Sequence, residues 1–412
     1  MGNCCNRQET FGFPLDFEYS NVVSLELQSI YGSQINQLPS DNTYTLPSPT
    51  IQDNINIFLS NFPFKVSGCV LPGMDFRASQ TKICQDNFFF IVHNNCLLSV
   101  LCDGHGTEGH HISKYALEYF QKSFKKKFSA FKHDPKQSIS AILQKCDEKI
   151  FSQLESSLSG TTMVINFIAD GVALTAGLGD SRAILGYLDP VAETFKQKQG
   201  KYFRQITCER SFKVFPLTVD HKPEDKEEEF RIRKSGGLVH RYTDAFGRDV
   251  GPYRVWQSNG SGPGLAMSRS LGDKVAKGCG VISVPMYTER RLVSGKDQYI
   301  VLASDGVWDV MENVEVINFV EKWKGMCLNQ ANEDYPANPN NSSISRLLCE
   351  EARYRWLGIA QTERVSIDDI SCIVIDFAID STTESLLETP TDKKLVSIRL
   401  GSDTEEQEEE VE

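Results

Sequence analysis

The residues of this sequence best suited to chemistry are an aspartate and a histidine separated by one glycine, in the run Asp103-Gly104-His105-Gly106. The run follows an apolar stretch, Cys96–Cys102, whose composition predicts a buried strand. A carboxylate at the end of a buried strand is held rigidly, and flanking glycines let backbone and ligand approach closely. Asp103 could therefore bind a metal ion and His105 could transfer a proton, although an Asp-Gly turn beside a surface histidine is the alternative interpretation.

Four further aspartates share the position of Asp103, at the edge of an apolar run beside a turn: Asp86, Asp180, Asp305 and Asp368. A single strand-edge aspartate is usually a turn residue or a cap. Several carboxylates brought together without matching cations would repel one another, so a divalent cation is expected among them. An all-oxygen ligand set suits Mg²⁺ or Mn²⁺ and does not suit Zn²⁺. Two such ions about 4 Å apart would favour in-line attack by water on a phosphate ester.

The elements that would position these residues are mostly short strands. Two apolar runs, at 88–92 and 97–102, are separated by His93-Asn94-Asn95 and predict a hairpin. Three strand-like runs between 161 and 187 are joined by short turns and predict antiparallel neighbours. Apolar residues at helical spacing predict helices from 112 onward and over 138–154. The Gly-rich, polar stretch 241–264 reads as a long loop.

The order of these features divides the chain into three parts. Residues 1–60, rich in Asn, Gln, Ser and Pro, predict an N-terminal extension. Residues 61–378 contain all the patterned segments and predict the catalytic domain. Residues 379–412 end in an acidic run and predict a disordered tail.

Composition excludes several classes of protein. The chain has 412 residues, 43 basic and 55 acidic, and its net charge of −12 argues against nucleic acid as a partner. Twelve cysteines without a tight framework, and no secretory signal, indicate a reduced cytoplasmic setting with most cysteines buried as small hydrophobes. No apolar run approaches the roughly 18–20 residues that a membrane-spanning helix needs.

The N-terminus carries a pattern typical of lipid attachment. Gly2 follows the initiator methionine, as in N-myristoylated proteins, and Cys4 and Cys5 are placed for palmitoylation. One acyl chain binds a membrane only marginally and a second makes the attachment stable. Asn6 departs from the Ser or Thr usual at its position. We therefore expect a cytoplasmic protein attached through its acylated N-terminus to the cytoplasmic face of a membrane.

Eight short motifs occur in order between about residues 62 and 378. They are Lys82-Ile83-Cys84-Gln85-Asp86-Asn87, Asp103-Gly104-His105-Gly106, Ser159-Gly160-Thr161-Thr162, Gly179-Asp180-Ser181-Arg182-Ala183, Leu217-Thr218-Val219-Asp220-His221-Lys222-Pro223, Leu265-Ala266-Met267-Ser268-Arg269-Ser270-Leu271-Gly272-Asp273, Ala303-Ser304-Asp305-Gly306-Val307-Trp308-Asp309 and Asp368-Asp369. This series resembles the metal-dependent Ser/Thr protein phosphatases of type 2C. The resemblance implies an α/β (α+β) four-layer sandwich, with two packed, mainly antiparallel sheets and helices outside. It also implies phosphoprotein substrates and a monomer.

The resemblance implies two Mn²⁺ or Mg²⁺ ions, with a weaker third. Asp103 would bridge the pair, and the Gly104 carbonyl would bind one of them. Asp305 and Asp368 would bind the other ion, and Asp180 would share the third with Asp305. Asp86 belongs to the same ligand set.

Two further roles follow from the resemblance. His105 would protonate the leaving Ser or Thr oxygen, which suits its near-neutral pKa. Lys82 would bind the substrate phosphate, where many members have Arg, and the two side chains are not equivalent. Gln85 stands where many members have a Glu that touches a metal-bound water. The stretch 241–264 falls in the region that resembles the family's mobile flap.

Four rival functions are suggested by parts of the sequence. A Cys-nucleophile phosphatase would need a cysteine followed six positions later by an arginine, and we expect no catalytic thiol motif among the twelve cysteines. A kinase is suggested by His240-Arg241-Tyr242, but no phosphate-binding Gly-rich loop with a following strand Lys accompanies it. A zinc hydrolase is suggested by His105, Glu108, His110 and His111, but their spacing fits neither His-Glu-x-x-His nor His-x-x-Glu-His. The remaining alternative is a catalytically weak or inactive phosphatase-like regulatory module. Such a module should lack one of the metal-binding acids, and here all are present.

Overall fold

The fold is built mainly from β-strands. The computed structural model describes residues 50–59, 62–75, 80–188, 194–198, 201–205, 212–329, 343–363, 365–377 and 396–397. The strands are β1 (Thr50–Leu59), β2 (Phe62–Leu71), β3 (Met74–Asp75), β4 (Gln80–Thr81), β5 (Asn87–His93), β6 (Cys96–Cys102), β7 (Gly104–His105), β8 (Gly160–Thr161), β9 (Met163–Ala169), β10 (Val172–Leu178), β11 (Arg182–Leu188), β12 (Thr194–Lys198), β13 (Lys201–Gln205), β14 (Phe212–Pro216), β15 (Leu238–Thr243), β16 (Asp249–Trp256), β17 (Pro263–Leu265), β18 (Leu271–Gly272), β19 (Met286–Arg291), β20 (Asp297–Ala303), β21 (Ile370–Asp376) and β22 (Val396–Ser397).

Helices connect and cover these strands. They are α1 (Gly109–Lys126), α2 (Phe128–His133), α3 (Pro135–Gln153), α4 (Lys226–Lys234), α5 (Lys274–Lys277), α6 (Asp305–Trp308), α7 (Asn313–Asn329) and α8 (Ile344–Glu363). None of the helices in the described part of the chain is long and apolar enough to cross a membrane.

Two six-stranded sheets form the centre of the molecule. The first sheet has the order β1-β2-β21-β20-β11-β14 and the second has the order β19-β10-β9-β6-β5-β22. Neighbouring strands in both sheets are antiparallel. The predicted hairpin is confirmed: β5 and β6 pair across Asn94 and Asn95, which both have the positive φ that a tight hairpin turn requires.

The inner core lies between the two sheets. Alternate residues of a strand point to opposite faces, and one set from each sheet packs against the other. This core includes Phe64 and Val66 from β2, Phe88 and Phe90 from β5, Ile300 and Leu302 from β20, and Ile373 and Ile375 from β21. Burying each such side chain contributes about 1.5–3 kcal/mol, so this interface contributes substantially to stability.

The outer layers are helical. On the second sheet, α1, α2 and α3 bury an aromatic group in which the Phe131 ring lies 5.0 Å from that of Phe167. On the first sheet, α8 brings the Cys349 sulfur within 3.4 Å of that of Cys372, while Ile317 of α7 packs over Gly186. The layers therefore follow the order helix, sheet, sheet, helix, which confirms the predicted four-layer sandwich.

Two expectations about the strands were wrong. The last of the three strand-like runs between 161 and 187 is β11, and it does not pair with β10. It joins the first sheet, whereas β9 and β10 lie in the second sheet. The turn Gly179-Asp180-Ser181 therefore carries the chain from one sheet to the other. The stretch 241–264 is not a loop, since β15, β16 and β17 form a three-stranded antiparallel sheet there. Its polar, exposed residues had hidden the strand pattern, because this sheet is largely solvent-exposed.

Gly68 of β2 provides a test of how the two sheets pack. A Cβ atom at Gly68 would lie 2.2 Å from Cε2 of Phe88 on the opposite sheet. We expect Gly68→Ala to lower the free energy of unfolding by about 1–3 kcal/mol, because the aromatic ring must leave its position. Gly358→Ala, at an exposed helical position where a Cβ would meet nothing within 4 Å, should be neutral or stabilising. Equal denaturation midpoints for the wild type and Gly68→Ala would contradict this packing.

Candidate metal centre

The five predicted aspartates come together at one end of the two sheets. In the second sheet, Asn87 pairs with Cys102, so Asp86 enters β5 beside the point where Asp103 leaves β6. In the first sheet, Ala303 pairs with both Arg182 and Cys372. This pairing brings together the end of β20 and the starts of β11 and β21, which are flanked by Asp305, Asp180 and Asp368.

These five residues are here called the aspartate cluster. Their carboxylates repel one another, and this repulsion contributes to raised pKa values. Burial, reinforced by the neighbouring carboxylates, raises the pKa of Asp103 and of Asp305 well above the usual range. Burial and the adjacent Asp369 carboxylate raise the pKa of Asp86 to about 8, although hydrogen bonds from serines act in the opposite direction. Such a cluster favours either a bound proton or a bound cation.

Unsatisfied oxygens show that a cation suits the aspartate cluster. Oδ1 of Asp86 and Oδ1 of Asp180 are buried and have no hydrogen-bond partner within the described residues. The other Asp86 oxygen accepts a hydrogen bond of 2.7 Å from the Ser371 hydroxyl, which fixes the carboxylate. The donor atoms are all oxygens, which is the set that hard divalent ions prefer. The residues present therefore fit a Mg²⁺ or Mn²⁺ centre.

Backbone geometry accounts for two of the sequence motifs. The Asp103 N–H donates to Oγ1 of Thr162 at 3.0 Å, and the Asp103 carbonyl accepts from Oγ1 of Thr161 at 3.0 Å. Both threonines belong to the Ser159-Gly160-Thr161-Thr162 motif, which thus holds Asp103 in place. A Cβ atom at Gly104 would lie 2.5 Å from the Gly109 carbonyl oxygen, so close approach requires glycine here.

His105 is paired with a carboxylate that the sequence analysis quoted but assigned no role. Its Nε2 lies 2.7 Å from Oδ2 of Asp273, whose side chain is almost completely buried. Burial alone would lower the pKa of His105, but the Asp273 carboxylate outweighs it, and the pKa is raised. In the sequence, Asp273 could be noticed only as the last residue of the motif Leu265–Asp273. The fold is needed to reveal its contact with His105, 168 positions away.

Replacing Asp273 with asparagine should alter the pH dependence of turnover. The loss of this negative charge lowers the pKa of His105, so a smaller fraction of the imidazole is protonated at a given alkaline pH. We expect the high-pH decline of kcat to move to lower pH by about one unit or more in Asp273→Asn. Measuring kcat from pH 5 to 10 tests this expectation. Superimposable profiles for the two proteins would exclude Asp273 as a positioning residue for His105.

Lys82 and Gln85 lie on the same edge as the aspartate cluster. Nζ of Lys82 is 3.8 Å from Oδ1 of Asp368, and both side chains are substantially exposed, so this ion pair is weak. Nε2 of Gln85 donates to the Gly106 carbonyl at 2.6 Å. Asp369, to which the sequence analysis gave no role, accepts hydrogen bonds from the backbone N–H groups of Gly73 and Gln85. It thereby anchors the segment that carries Lys82 and Gln85.

Asp180 has a cationic partner that sequence reasoning missed. Nζ of Lys222 lies 2.6 Å from Oδ2 of Asp180. Burial disfavours the charged lysine, but the Asp180 carboxylate prevails and raises the pKa of Lys222. Asp309 is a further missed neighbour, since its charge helps to raise the pKa of Asp305. Lys222 occupies Oδ2 of Asp180, and Oδ1 has no hydrogen-bond partner within the described residues.

A thiol phosphatase would use a cysteine followed six residues later by an arginine. Cys349 and Arg355 have this spacing, but both lie within α8, where no phosphate-binding loop can form. Cys349 is completely buried, and burial raises the pKa of its thiol well above the usual range. Of the eight cysteines whose side chains the structure describes, seven are buried and all eight are free thiols, as expected for small hydrophobes. Gly2, Cys4 and Cys5 lie outside the described residues.

Comparisons with known proteins show which family this chain resembles. The family model for protein phosphatase 2C matches residues 77–352. The rice "Probable protein phosphatase 2C 12" is 37% identical over 227 residues, which cover 55% of this chain and 48% of the rice protein. The Arabidopsis thaliana "Probable protein phosphatase 2C 34" is 29% identical, with 69% of this chain and 73% of the relative covered. The chain thus spans about half of the rice relative and about three quarters of the other.

A solved structure shares the fold. The serine-threonine phosphatase 2C from Toxoplasma gondii superposes with a TM-score of 0.56 at 19% identity, covering 81% of this chain and all of that one. The two structures therefore share the four-layer fold, and in this chain the aspartate cluster lies at one end of the two sheets. The chain belongs to the protein phosphatase 2C family of metal-dependent protein serine/threonine phosphatases, because the family model covers well over half of its length.

Proposed function

We propose that this chain hydrolyses phosphoserine and phosphothreonine in proteins, using two Mn²⁺ or Mg²⁺ ions held by the aspartate cluster. The observation that carries this proposal is the convergence of five aspartates at one end of the two sheets, where burial, reinforced by the neighbouring carboxylates, raises the pKa of Asp103 and Asp305. Asp103, the Gly104 carbonyl, Asp86, Asp305 and Asp368 would hold the pair. Asp180 would help to hold a weaker third ion.

The protein's own contribution to the reaction centres on His105. Bound divalent ions would supply a polarised water and neutralise phosphate charge. His105 would donate a proton to the departing Ser or Thr oxygen, and Asp273, 2.7 Å away, would keep the imidazole protonated and oriented. The side chain of His105 is 21% exposed, so it can meet substrate at the surface of the site.

The direct test is phosphate release from phosphoserine and phosphothreonine peptides by the intact chain, with and without a chelator. Activity should require Mn²⁺ or Mg²⁺ and should be lower on a phosphotyrosine peptide of the same sequence. The alternative, an inactive phosphatase-like regulatory module, predicts peptide binding without phosphate release. Activity that survives complete metal removal would refute the proposed mechanism.

Lys82 is proposed to bind the substrate phosphate. Its ammonium lies at the edge of the aspartate cluster and is 38% exposed, so a phosphate can reach it. We expect Lys82→Ala to raise KM for a phosphopeptide roughly tenfold, since one charge-assisted contact contributes about 1.5–3 kcal/mol. Lys82→Arg keeps the charge and should retain most of the affinity. An unchanged KM in Lys82→Ala would remove this residue from the phosphate site.

We also propose that the protein is a cytoplasmic monomer attached to a membrane through acyl groups on Gly2, Cys4 and Cys5. The support is the N-terminal sequence pattern alone. Gly2→Ala should move the protein from the membrane fraction to the soluble fraction of fractionated cells. The double variant Cys4→Ser, Cys5→Ser should weaken attachment without abolishing it, because one chain binds marginally. Equal partition of the wild type and Gly2→Ala would rule out acylation at Gly2.

A further inference from the structure

A second group of potential metal ligands lies at the start of helix α1. Glu108 caps the helix, and His110 and His111 are its second and third residues. One carboxylate oxygen and one nitrogen from each ring lie within 4.8 Å of one another. Ligand atoms around a tetrahedral ion with bonds of ~2.0–2.1 Å are about 3.4 Å apart. Small side-chain rotations would therefore bring all three atoms to bonding distance.

The two imidazoles lie close to each other and to the Glu108 carboxylate. Their ring centroids are 4.0 Å apart, and Nε2 of His111 is 3.9 Å from a Glu108 carboxylate oxygen. His110 is half-buried, so it does not simply face solvent, and its Nδ1 has no hydrogen-bond partner among the described residues.

The surroundings leave room for an ion. No lysine or arginine of the described residues lies within ion-pair distance of Glu108, whose charge is therefore available. The side chains of Glu108 and His111 are 40% and 61% exposed, so water can occupy a further coordination position. A set of two nitrogens and one oxygen suits Zn²⁺, whereas the all-oxygen aspartate cluster suits harder ions.

We propose that Glu108, His110 and His111 form a Zn²⁺ site, separate from the aspartate cluster, with water completing the coordination. The helix brings these three residues together, although their spacing in the sequence matches no hydrolase motif. We assign the bound ion no catalytic role of its own. The proposed zinc site lies close to the aspartate cluster, because Gly109, which follows Glu108, packs tightly against Gly104 and Gln85. A Cβ at Gly109 would lie 2.8 Å from the Gly104 carbonyl carbon and 3.0 Å from Nε2 of Gln85. A bound ion would thus fix the first turn of α1 against the backbone of Gly104.

Calorimetric titration of the full chain with Zn²⁺, in millimolar Mg²⁺ that fills the aspartate cluster, tests this site. We expect the wild type to bind one equivalent of Zn²⁺ that His111→Gln and Glu108→Gln bind at least ~10-fold more weakly. His133→Gln changes an exposed histidine outside the site and should leave the titration unchanged. Circular dichroism of each variant confirms that it is folded.

A second comparison separates the two metal sites. Asp305→Asn alters the aspartate cluster, and it should retain the same Zn²⁺ equivalent if the ion binds at α1. Loss of that equivalent in Asp305→Asn would place the zinc in the aspartate cluster and overturn the proposal. Identical titrations of wild type, His111→Gln and Glu108→Gln would overturn it as well.

Discussion

Asp305→Asn is expected to lower the metal-dependent rate of phosphopeptide hydrolysis by about a thousandfold or more. The substitution keeps the shape of the side chain and removes one ligand charge from the aspartate cluster. Electrophilic stabilisation by a metal ion contributes several kcal/mol to the transition state, and ~4 kcal/mol corresponds to roughly a factor of 10³. The measurement is kcat at saturating Mn²⁺. Wild-type rates in Asp305→Asn would show that the metal assignment is wrong.

The same substitution separates catalysis from folding. Burial and neighbouring carboxylates disfavour the charged form of Asp305, so removing this charge relieves repulsion in the metal-free protein. Metal-free Asp305→Asn should therefore have a melting temperature equal to or higher than that of the metal-free wild type. Asp170→Asn is a matched control, because Asp170 lies in an exposed Asp-Gly turn whose positive φ asparagine also tolerates. It should change neither activity nor stability.

His105→Gln is expected to lower kcat on phosphoserine peptides by about 10²–10⁴-fold, the usual contribution of a general acid. Glutamine has polar atoms but cannot transfer a proton at neutral pH. The departing serine oxygen needs that proton, whereas p-nitrophenolate is a stable leaving group without it.

The comparison of two substrates therefore identifies the role of His105. Hydrolysis of p-nitrophenyl phosphate should be affected much less by His105→Gln than hydrolysis of the phosphopeptide. An equal loss on both substrates would indicate that His105 supports metal or substrate binding and does not act as an acid. The Asp273→Asn variant should resemble His105→Gln in this selectivity, with a smaller loss.

The individual strands and the aspartates at their edges could be predicted because each depends on local pattern, whereas the layered arrangement was implied by the family resemblance. Apolar runs ending in aspartate identified the edges of β6 and β20, and the hairpin between β5 and β6 followed from Asn94 and Asn95. The motif series then indicated how the strands assemble. The predicted division into extension, catalytic domain and tail remains a prediction.

What could not be predicted depends on contacts between distant parts of the chain. The pairing of His105 with Asp273 spans 168 positions, and that of Asp180 with Lys222 spans 42. No local pattern encodes either contact, because each arises where two elements meet in the fold. The stretch 241–264 was misread for a different reason: most of its strand residues are exposed and Val255 is an isolated buried one, so it lacks the alternation of apolar and polar residues that reveals a half-buried strand.

The central proposal is that Asp103 would help to hold two ions, and a titration of the metal-free chain with Mn²⁺ followed by electron paramagnetic resonance tests it most directly. Two Mn²⁺ ions that share a carboxylate about 4 Å apart interact magnetically. We predict two equivalents bound per chain with the broadened spectrum of a coupled pair, and loss of that coupling in Asp103→Asn. A single equivalent with the spectrum of an isolated ion, unchanged in Asp103→Asn, would contradict the two-metal account.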